Sequence, residues 1–126
     1  GIVLITHDLG VVAEMCDVVS VMYAGKLVEH GPVDHIFSSS AHPYTRALLR
    51  SLPSIASSGK RLETIEGVVP SPTEMPDGCR FAPRCPRAES RCRAEEPDLV
   101  SQEFAEVRVA CHYPVSERDG VAYATN

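Results

Sequence analysis

The first thirty residues alternate between apolar runs and amphipathic stretches, as α/β domains do. Ile2 to Thr6 is a continuous apolar and β-branched run, which predicts a strand covered on both faces. Apolar residues then recur at helical spacing from Leu9 to about Cys16, and Asp8 is placed to cap that helix. Two further β-rich runs, Val18 to Tyr23 and Lys26 to Glu29, are separated by a turn and predict a hairpin. The predicted order is therefore strand, helix, strand, strand.

Two helices are predicted after the hairpin. Pro32 suits the first turn of a helix that runs to about Phe37, and the apolar spacing from Tyr44 to Leu52 predicts a second helix. Residues 53–60 are small, polar and without periodicity, which indicates a linker. Three histidines of this part show no metal-ligand spacing and are interpreted as surface or turn residues: His30, His35 and His42.

The pattern changes beyond the linker. Residues 61–69 predict one or two short strands, and the alternating run 104–109 predicts a final strand that leads to Cys111. Six prolines between residues 70 and 97 exclude long regular elements. A compact unit so poor in secondary structure needs another source of stability. The tail, residues 115–126, is expected to be flexible.

Composition narrows the class of protein. A chain of 126 residues with 44% hydrophobic residues can bury one core. The longest uncharged apolar run, Ile2 to Ile5, is far below the roughly 20 residues that cross a bilayer, which argues against a membrane span. The net charge of −5 argues against a generic surface for nucleic acid or anionic lipid. Five arginines against one acid between residues 79 and 93 are a local exception.

Four of the five cysteines form a group. Their spacing is Cys79-x5-Cys85-x6-Cys92-x18-Cys111, whereas Cys16 lies in the apolar stripe of the first predicted helix. No secretory signal opens the chain, so a reducing compartment is expected and metal ligands or core residues are favoured over disulfides. A four-thiolate site can stabilise a unit with little apolar core, because the free energy of metal binding becomes folding free energy.

The spacing favours an iron–sulfur cluster over zinc. Zinc sites with four sulfurs usually contain Cys-x2–4-Cys knuckles, which this sequence lacks, while thiolates from separated loops can reach the corners of a larger cluster. The nearby arginines would offset the negative charge of such a cluster. Two alternatives stay open. His112 can replace one cysteine in a zinc site, and the cysteines can be reduced core residues or disulfides of an exported protein.

His7 is a candidate ligand-contacting residue. It stands between a predicted strand and a predicted helix, where open α/β sheets place such groups, although a solvated or capped histidine is the commoner case. The sequence contains no Gly-x4-Gly-Lys-Ser/Thr, Gly-x-Ser-x-Gly or His-Glu-x-x-His motif. It does not by itself indicate a self-sufficient enzyme.

Three segments of the front half resemble the end of an ABC-type ATP-binding subunit, and more narrowly the oligopeptide/dipeptide importer branch. They are Ile5-Thr6-His7-Asp8-Leu9, Val21-Met22-Tyr23-Ala24-Gly25-Lys26-Leu27-Val28-Glu29 and His42-Pro43-Tyr44-Thr45. The stretch Gly78-Cys79-Arg80-Phe81-Ala82-Pro83-Arg84-Cys85-Pro86, followed by Cys92 and Val109-Ala110-Cys111-His112, is similar to the carboxyl-terminal extension of that branch.

The resemblance implies an α/β fold, in which the C-terminal fragment of a P-loop ABC nucleotide-binding domain is followed by a small, irregular, cysteine-rich extension. The expected boundaries are 1–52, a linker at 53–60, and 61–114 for the extension. His7 would be the switch-loop histidine at the γ-phosphate of ATP, and Asp8 a structural cap. Because some members of the branch carry a [4Fe-4S] cluster, the resemblance implies four ligands: Cys79, Cys85, Cys92 and Cys111.

The resemblance also implies a function for the intact subunit. It would couple binding and hydrolysis of ATP with Mg²⁺ to uptake of peptides delivered by a substrate-binding protein. Its partners would be a second ATP-binding subunit and transmembrane permease subunits, with no nucleic acid, at the cytoplasmic face of the plasma (inner) membrane. Two alternatives are a stand-alone four-cysteine metal-binding interaction module and a redox-sensing Fe–S domain.

The sequence departs from this family in what it lacks. The phosphate loop with its lysine, the signature motif, the Mg²⁺-holding aspartate and the catalytic glutamate are absent and are expected upstream of Gly1. The polypeptide alone is therefore expected to be inactive as an ATPase. Residues 1–52 are expected to be poorly stable unless the missing part is supplied.

Overall fold

A four-stranded antiparallel sheet with short helices forms the fold, and the sheet order is β1-β2-β4-β3. A computed structural model of the chain describes residues 1–53, 64–102 and 106–116. The regular elements are α1 (Leu9–Met15), β1 (Val18–Tyr23), β2 (Lys26–Pro32), α2 (Val33–Ser39), α3 (Pro43–Arg50), a 3₁₀ turn (Ala82–Arg84), α4 (Ser90–Ala94), β3 (Val100–Ser101) and β4 (Arg108–Val109). Among the helices within those three ranges, none is long and apolar enough to span a membrane.

The predicted helix α1 and the hairpin are confirmed. Asp8 caps α1, its carboxylate accepting from the amides of Gly10 at 3.0 Å and Val11 at 3.2 Å. The hairpin turn has two residues, Ala24 with φ 47° and Gly25 with φ 80°. A two-residue turn with both residues in the left-handed region matches the twist of the flanking strands, which is why glycine suits the second position.

Strand β2 is longer than the hydrophobic pattern predicts. It continues through Gly31, which pairs with Val19 of β1 and is buried against Val107. The helix predicted from Pro32 accordingly begins one residue later, with Pro32 at its N-cap, and ends at Ser39. A proline is tolerated at the last strand position because the missing N–H removes little from the ladder.

The rear of the chain completes the sheet. Glu29 of β2 is opposite Val109 of β4, and β3 pairs with the other edge of β4. Strands from both sides of the predicted linker therefore share one sheet. Residues 54–60 of that linker and residues 117–126 of the predicted tail lie outside the described residues.

Phe81, from the cysteine-rich segment, lies in the same core as the hairpin. Its ring is edge-on to Tyr23 with 5.2 Å between centroids, and the ring of Tyr44 lies 5.4 Å from Phe81 and 4.6 Å from Tyr23. The buried cluster also contains Val21, Val28 and Ile36. Aromatic pairs at these separations contribute about 0.5 to 1.5 kcal/mol each beyond area burial.

The strand predicted from Ile2 to Thr6 is wrong for this structure. The segment has no regular structure, and Ile2 and Ile5 are 95% and 94% exposed. An isolated strand cannot satisfy its backbone groups, and within the described ranges no strand pairs with this segment.

The rear segment also differs from its predicted elements. Residues 64–69 form no strand, while residues 61–63 lie outside the described part. The predicted final strand is reduced to Arg108–Val109, with residues 103–105 again outside the description. Helix α4 and strand β3 were not predicted, because each is too short to show a periodic pattern.

Candidate functional site: the four-cysteine cavity

The four grouped cysteines line one narrow cavity. Cys79 precedes the 3₁₀ turn, Cys85 follows it, Cys92 lies in α4, and Cys111 follows β4. The short segment 79–92 and the distant residue after β4 therefore bring four sulfurs to one place. The cavity measures about 20 Å³, room for about one water molecule. Phe81, Ala82 and Pro43 supply apolar parts of its wall.

Close backbone packing holds two of these cysteines together. The amide of Cys79 donates to the carbonyl of Cys92 at 2.7 Å. A Cβ on Gly78 would lie 2.3 Å from that same carbonyl oxygen, a distance at which atoms overlap. Position 78 therefore accepts only glycine while this contact exists, a requirement that the sequence alone did not reveal.

Burial favours the neutral form of three of these thiols, those of Cys79, Cys85 and Cys111. Burial raises the pKa of Cys111 to about 11, and the nearness of the other three cysteines adds to the rise. The pKa values of Cys79 and Cys85 are raised as well, first by burial. Protons therefore occupy these sulfurs at neutral pH unless a bound cation replaces them.

The donor set does not match a site for a single metal ion. Within 1–53, 64–102 and 106–116, no three His, Cys, Asp or Glu side chains lie close enough together to hold one metal ion. The four thiols nevertheless surround a common cavity, so their chemistry fits a larger cluster, whose corners accept sulfurs from separated loops. The cysteine cavity would have to widen to admit such a cluster. His112, the alternative zinc ligand, lines the cavity, and its Nε2 is 2.8 Å from the Glu95 carbonyl oxygen.

The arginines of this segment have mixed roles. Arg87 lines the cavity, and its charge lowers the pKa of Cys85 against the effect of burial. Arg84 instead donates to the carbonyls of Ile65 and Glu66 and to the hydroxyl of Tyr23. The expectation that the arginines offset cluster charge therefore applies to Arg87, whereas Arg84 joins the segment to the hairpin.

Arg80 stabilises the hairpin turn. It donates to the carbonyl of Ala24, the residue with positive φ, and pairs with Glu96 at 3.4 Å. Lys26, at the start of β2, approaches the same carboxylate at 3.6 Å. These contacts connect the turn directly to the chain around the cysteines.

His42 is buried, which corrects its interpretation as a surface or turn residue. It is 1% exposed, lines the cysteine cavity, and caps α3, with Nδ1 accepting from the Tyr44 amide at 3.0 Å. Burial lowers the pKa of His42 to about 4, opposed by the carbonyl of Ala110. That carbonyl makes no hydrogen bond of ordinary geometry with Nε2, which has no partner in the described part of the chain.

Glu29 fixes the loop that carries His42. This carboxylate is fully buried and accepts from the amides of Ala41 at 2.6 Å and His42 at 3.2 Å. Burial raises the pKa of Glu29, while the side chain of Thr45, the two amides and Arg46 oppose the rise. A glutamate in a β-run looks like a solvent-facing residue, so no signal of this role is visible in the sequence.

His7 lies apart from this site. It is exposed, directly before the cap of α1, and it is not among the residues that line the cysteine cavity. Cys16 is half-buried at the C-cap of α1 and also stays outside the cavity. The structure thus brings together the four grouped cysteines and leaves the candidate His7 separate, and Cys16 lies outside the group as predicted.

Comparison with known proteins gives a consistent set of relatives. The family described as "Oligopeptide/dipeptide transporter, C-terminal region" matches residues 28–92. Dipeptide transport ATP-binding protein DppD of Haemophilus influenzae is 48% identical over 118 residues, covering 94% of this chain and 35% of that protein. DppD of Escherichia coli K12 is 50% identical over 118 residues, covering 93% and 36%.

A third relative has a similar name and a similar identity. Oligopeptide transport ATP-binding protein AppD of Bacillus subtilis 168 is 50% identical over 101 residues, covering 80% of this chain and 31% of AppD. The chain spans about a third of the length of these relatives.

Proposed function

Because this chain belongs to the family of oligopeptide/dipeptide transporter C-terminal regions, we propose that it is the rear part of the ATP-binding subunit of a peptide importer. The observation that carries the proposal is the identity of about 50% to transport ATP-binding proteins across 93% of the chain. The intact subunit uses ATP and Mg²⁺, works beside a second ATP-binding subunit and the permease subunits, and lies peripherally at the cytoplasmic face of the inner membrane. A substrate-binding protein delivers the peptide to the permease subunits.

We propose that His7 acts on ATP in that subunit. Its exposed position before α1 leaves the imidazole accessible to a nucleotide held by other parts of the subunit. A histidine at the γ-phosphate acts by holding the attacking water in line and by stabilising charge, the two main contributions in phosphoryl transfer. Because Asp8 caps α1, the backbone directly after His7 is fixed.

The test of the ATPase proposal uses the full reading frame that contains this chain. His7→Ala should lower ATP turnover on the order of 100-fold while nucleotide affinity changes little, because positioning acts on the transition state. His35→Ala, on α2, is the matched control and should keep wild-type turnover. Unchanged turnover in the His7 variant would remove His7 from the reaction.

We propose in addition that Cys79, Cys85, Cys92 and Cys111 bind a [4Fe-4S] cluster. The support is the common cavity and the all-thiolate donor set. A bound cluster supplies a covalent cross-link between four segments, which adds folding free energy to a region of short elements. The cysteines would be held as thiolates, and Arg87 beside Cys85 favours that state.

The metal proposal is tested by composition. Protein purified without oxygen should be brown and contain about four irons and four sulfides per chain. Cys16→Ser should leave that content unchanged, since Cys16 is outside the cavity, whereas Cys92→Ser should lower it. A colourless protein with one zinc per chain would contradict the cluster.

A further inference from the structure

The imidazole of His42 has different surroundings at its two nitrogens. Nδ1 accepts a hydrogen bond from the amide of Tyr44 at 3.0 Å, so Nδ1 carries no proton. An imidazole that accepts a hydrogen bond at Nδ1 is neutral, and its single N–H is then at Nε2. The helix cap therefore fixes the tautomer.

Within the described residues the N–H at Nε2 makes no hydrogen bond of ordinary geometry, although the carbonyl of Ala110 is near enough to oppose the lowering of the pKa. The side chain is 1% exposed, and Nε2 has no hydrogen-bond partner in the described ranges. Buried polar groups are nearly always satisfied, so an exception requires a specific explanation. His42 lines the same cavity as the four thiols, so a group bound there would be a neighbour of its side chain.

We propose that His42 is a positioning residue for the group bound in the cysteine cavity, donating its Nε2–H to a thiolate or sulfide sulfur. The inference rests on the proposed four-cysteine site. An N–H···S bond stabilises negative charge on sulfur, and hydrogen bonds to the sulfurs are among the features that set the reduction potential of a cluster. Without the group the donor stays unsatisfied; with it, the donor has an anionic acceptor.

The same residue connects the group to the sheet. The backbone amide of His42 donates to Glu29 of β2 at 3.2 Å, and its ring caps α3. A hydrogen bond from Nε2 to the bound group therefore joins the cavity to β2 and α3 through one side chain.

His42→Asn separates the two roles of the histidine. The asparagine Oδ1 can replace Nδ1 as the helix cap, because asparagine is a strong N-cap residue, but its side chain is too short to put a donor where Nε2 lies. His42→Gln carries an N–H farther along its side chain and should restore the property in part. His30→Asn is the matched control, since His30 bonds to Ser20 and is not part of the cavity wall.

The measurements use the cluster-loaded protein in its full reading frame. Compared with wild type, His42→Asn should lower the reduction potential and speed the loss of iron to a chelator about fivefold, equivalent to about 1 kcal/mol. His30→Asn should match wild type in both. Equal potentials and equal iron-loss rates in wild type and His42→Asn would overturn the proposal and leave His42 as a helix cap that faces the Ala110 carbonyl.

A second measurement needs no variant. In wild-type protein labelled with ¹⁵N-histidine, the Nε2 proton of His42 should show a hyperfine shift from the cluster and slow exchange with water. An unshifted proton would also overturn the proposal. Wild-type protein that holds no iron would overturn the cluster proposal itself, together with this inference, so the two failures are distinguished by the iron content of wild type.

Discussion

At the scale of single residues, two buried polar side chains organise the site. Glu29 accepts two backbone amides from the loop before α3, and the His42 that follows this loop caps the helix and reaches the cysteine cavity. The pattern of hydrophobic and polar positions in the sequence does not indicate the role of either residue. A buried carboxylate with two amide partners costs less than an unpaired one, but its protonation becomes linked to folding.

Glu29 should make stability depend on pH. Its pKa is raised in the folded state, so above pH 4.5 the unfolded chain loses the proton first and the free energy of unfolding falls as pH rises. Glu29→Gln removes this contribution. Denaturant titrations at pH 4.5 and 7.5 should show a larger loss of stability for wild type than for the variant.

The exposed Glu14 of α1 supplies the control for that measurement. Glu14→Gln should follow the wild-type dependence on pH, because an exposed carboxylate is solvated in both states. If wild type and Glu29→Gln lost equal stability between the two pH values, burial would not raise the pKa of Glu29.

At the scale of elements, the hairpin and the cysteine-rich segment are held together by long side chains. Arg84 donates to the Tyr23 hydroxyl at 3.2 Å and to the Ile65 carbonyl at 3.1 Å, and its guanidinium lies 5.9 Å from the centre of the Tyr23 ring. Arg80 makes the equivalent connection at the turn. The arginine-rich composition of this segment therefore serves packing between elements as well as charge.

Arg84→Ala should destabilise the chain by about 1 to 2 kcal/mol, because several hydrogen bonds and the contact of the stem with Gly67 are lost together. Urea unfolding with matched m-values measures this difference. Arg93→Ala, an exposed position on α4, should change stability by no more than about 0.5 kcal/mol. Equal stabilities of the two variants would show that the Arg84 contacts contribute nothing net.

At the scale of the whole molecule, one sheet contains strands from both ends of the chain. β4, which leads into Cys111, pairs with β2, and β2 pairs with β1 of the hairpin. Backbone hydrogen bonds therefore connect the chain next to Cys111 to the front half. Because Phe81 lies in the hairpin core, side-chain packing provides a second connection.

Removal of the proposed cluster should lower the stability of the sheet as well as that of the cysteine-rich segment. After chelation of iron, amides of β2 should exchange faster with water, since β4 loses the anchor at Cys111. Hydrogen exchange read by mass spectrometry measures this effect. Cys111→Ser should reproduce it without a chelator and Cys16→Ser should not; protection of β2 that is unchanged in Cys111→Ser would contradict the connection.

Local features of the fold were predictable from sequence. The cap at Asp8 and the two-residue turn at Ala24 and Gly25 depend on residues only a few positions apart in the sequence, and both are confirmed. The grouping of the four cysteines followed from their spacing and is matched by the common cavity. The strand at Ile2 to Thr6 failed because a strand needs a neighbour, which a local pattern cannot supply.

The sequence by itself determined where α1 and the hairpin form and which cysteines belong together, because backbone propensity, capping and spacing act over short distances. Only the tertiary structure decided that β4 joins β2, that Arg84 serves the hairpin and that His42 is buried beside the thiols. Those outcomes depend on contacts between residues far apart in the chain, where burial and the need to satisfy each buried hydrogen-bonding group select one arrangement.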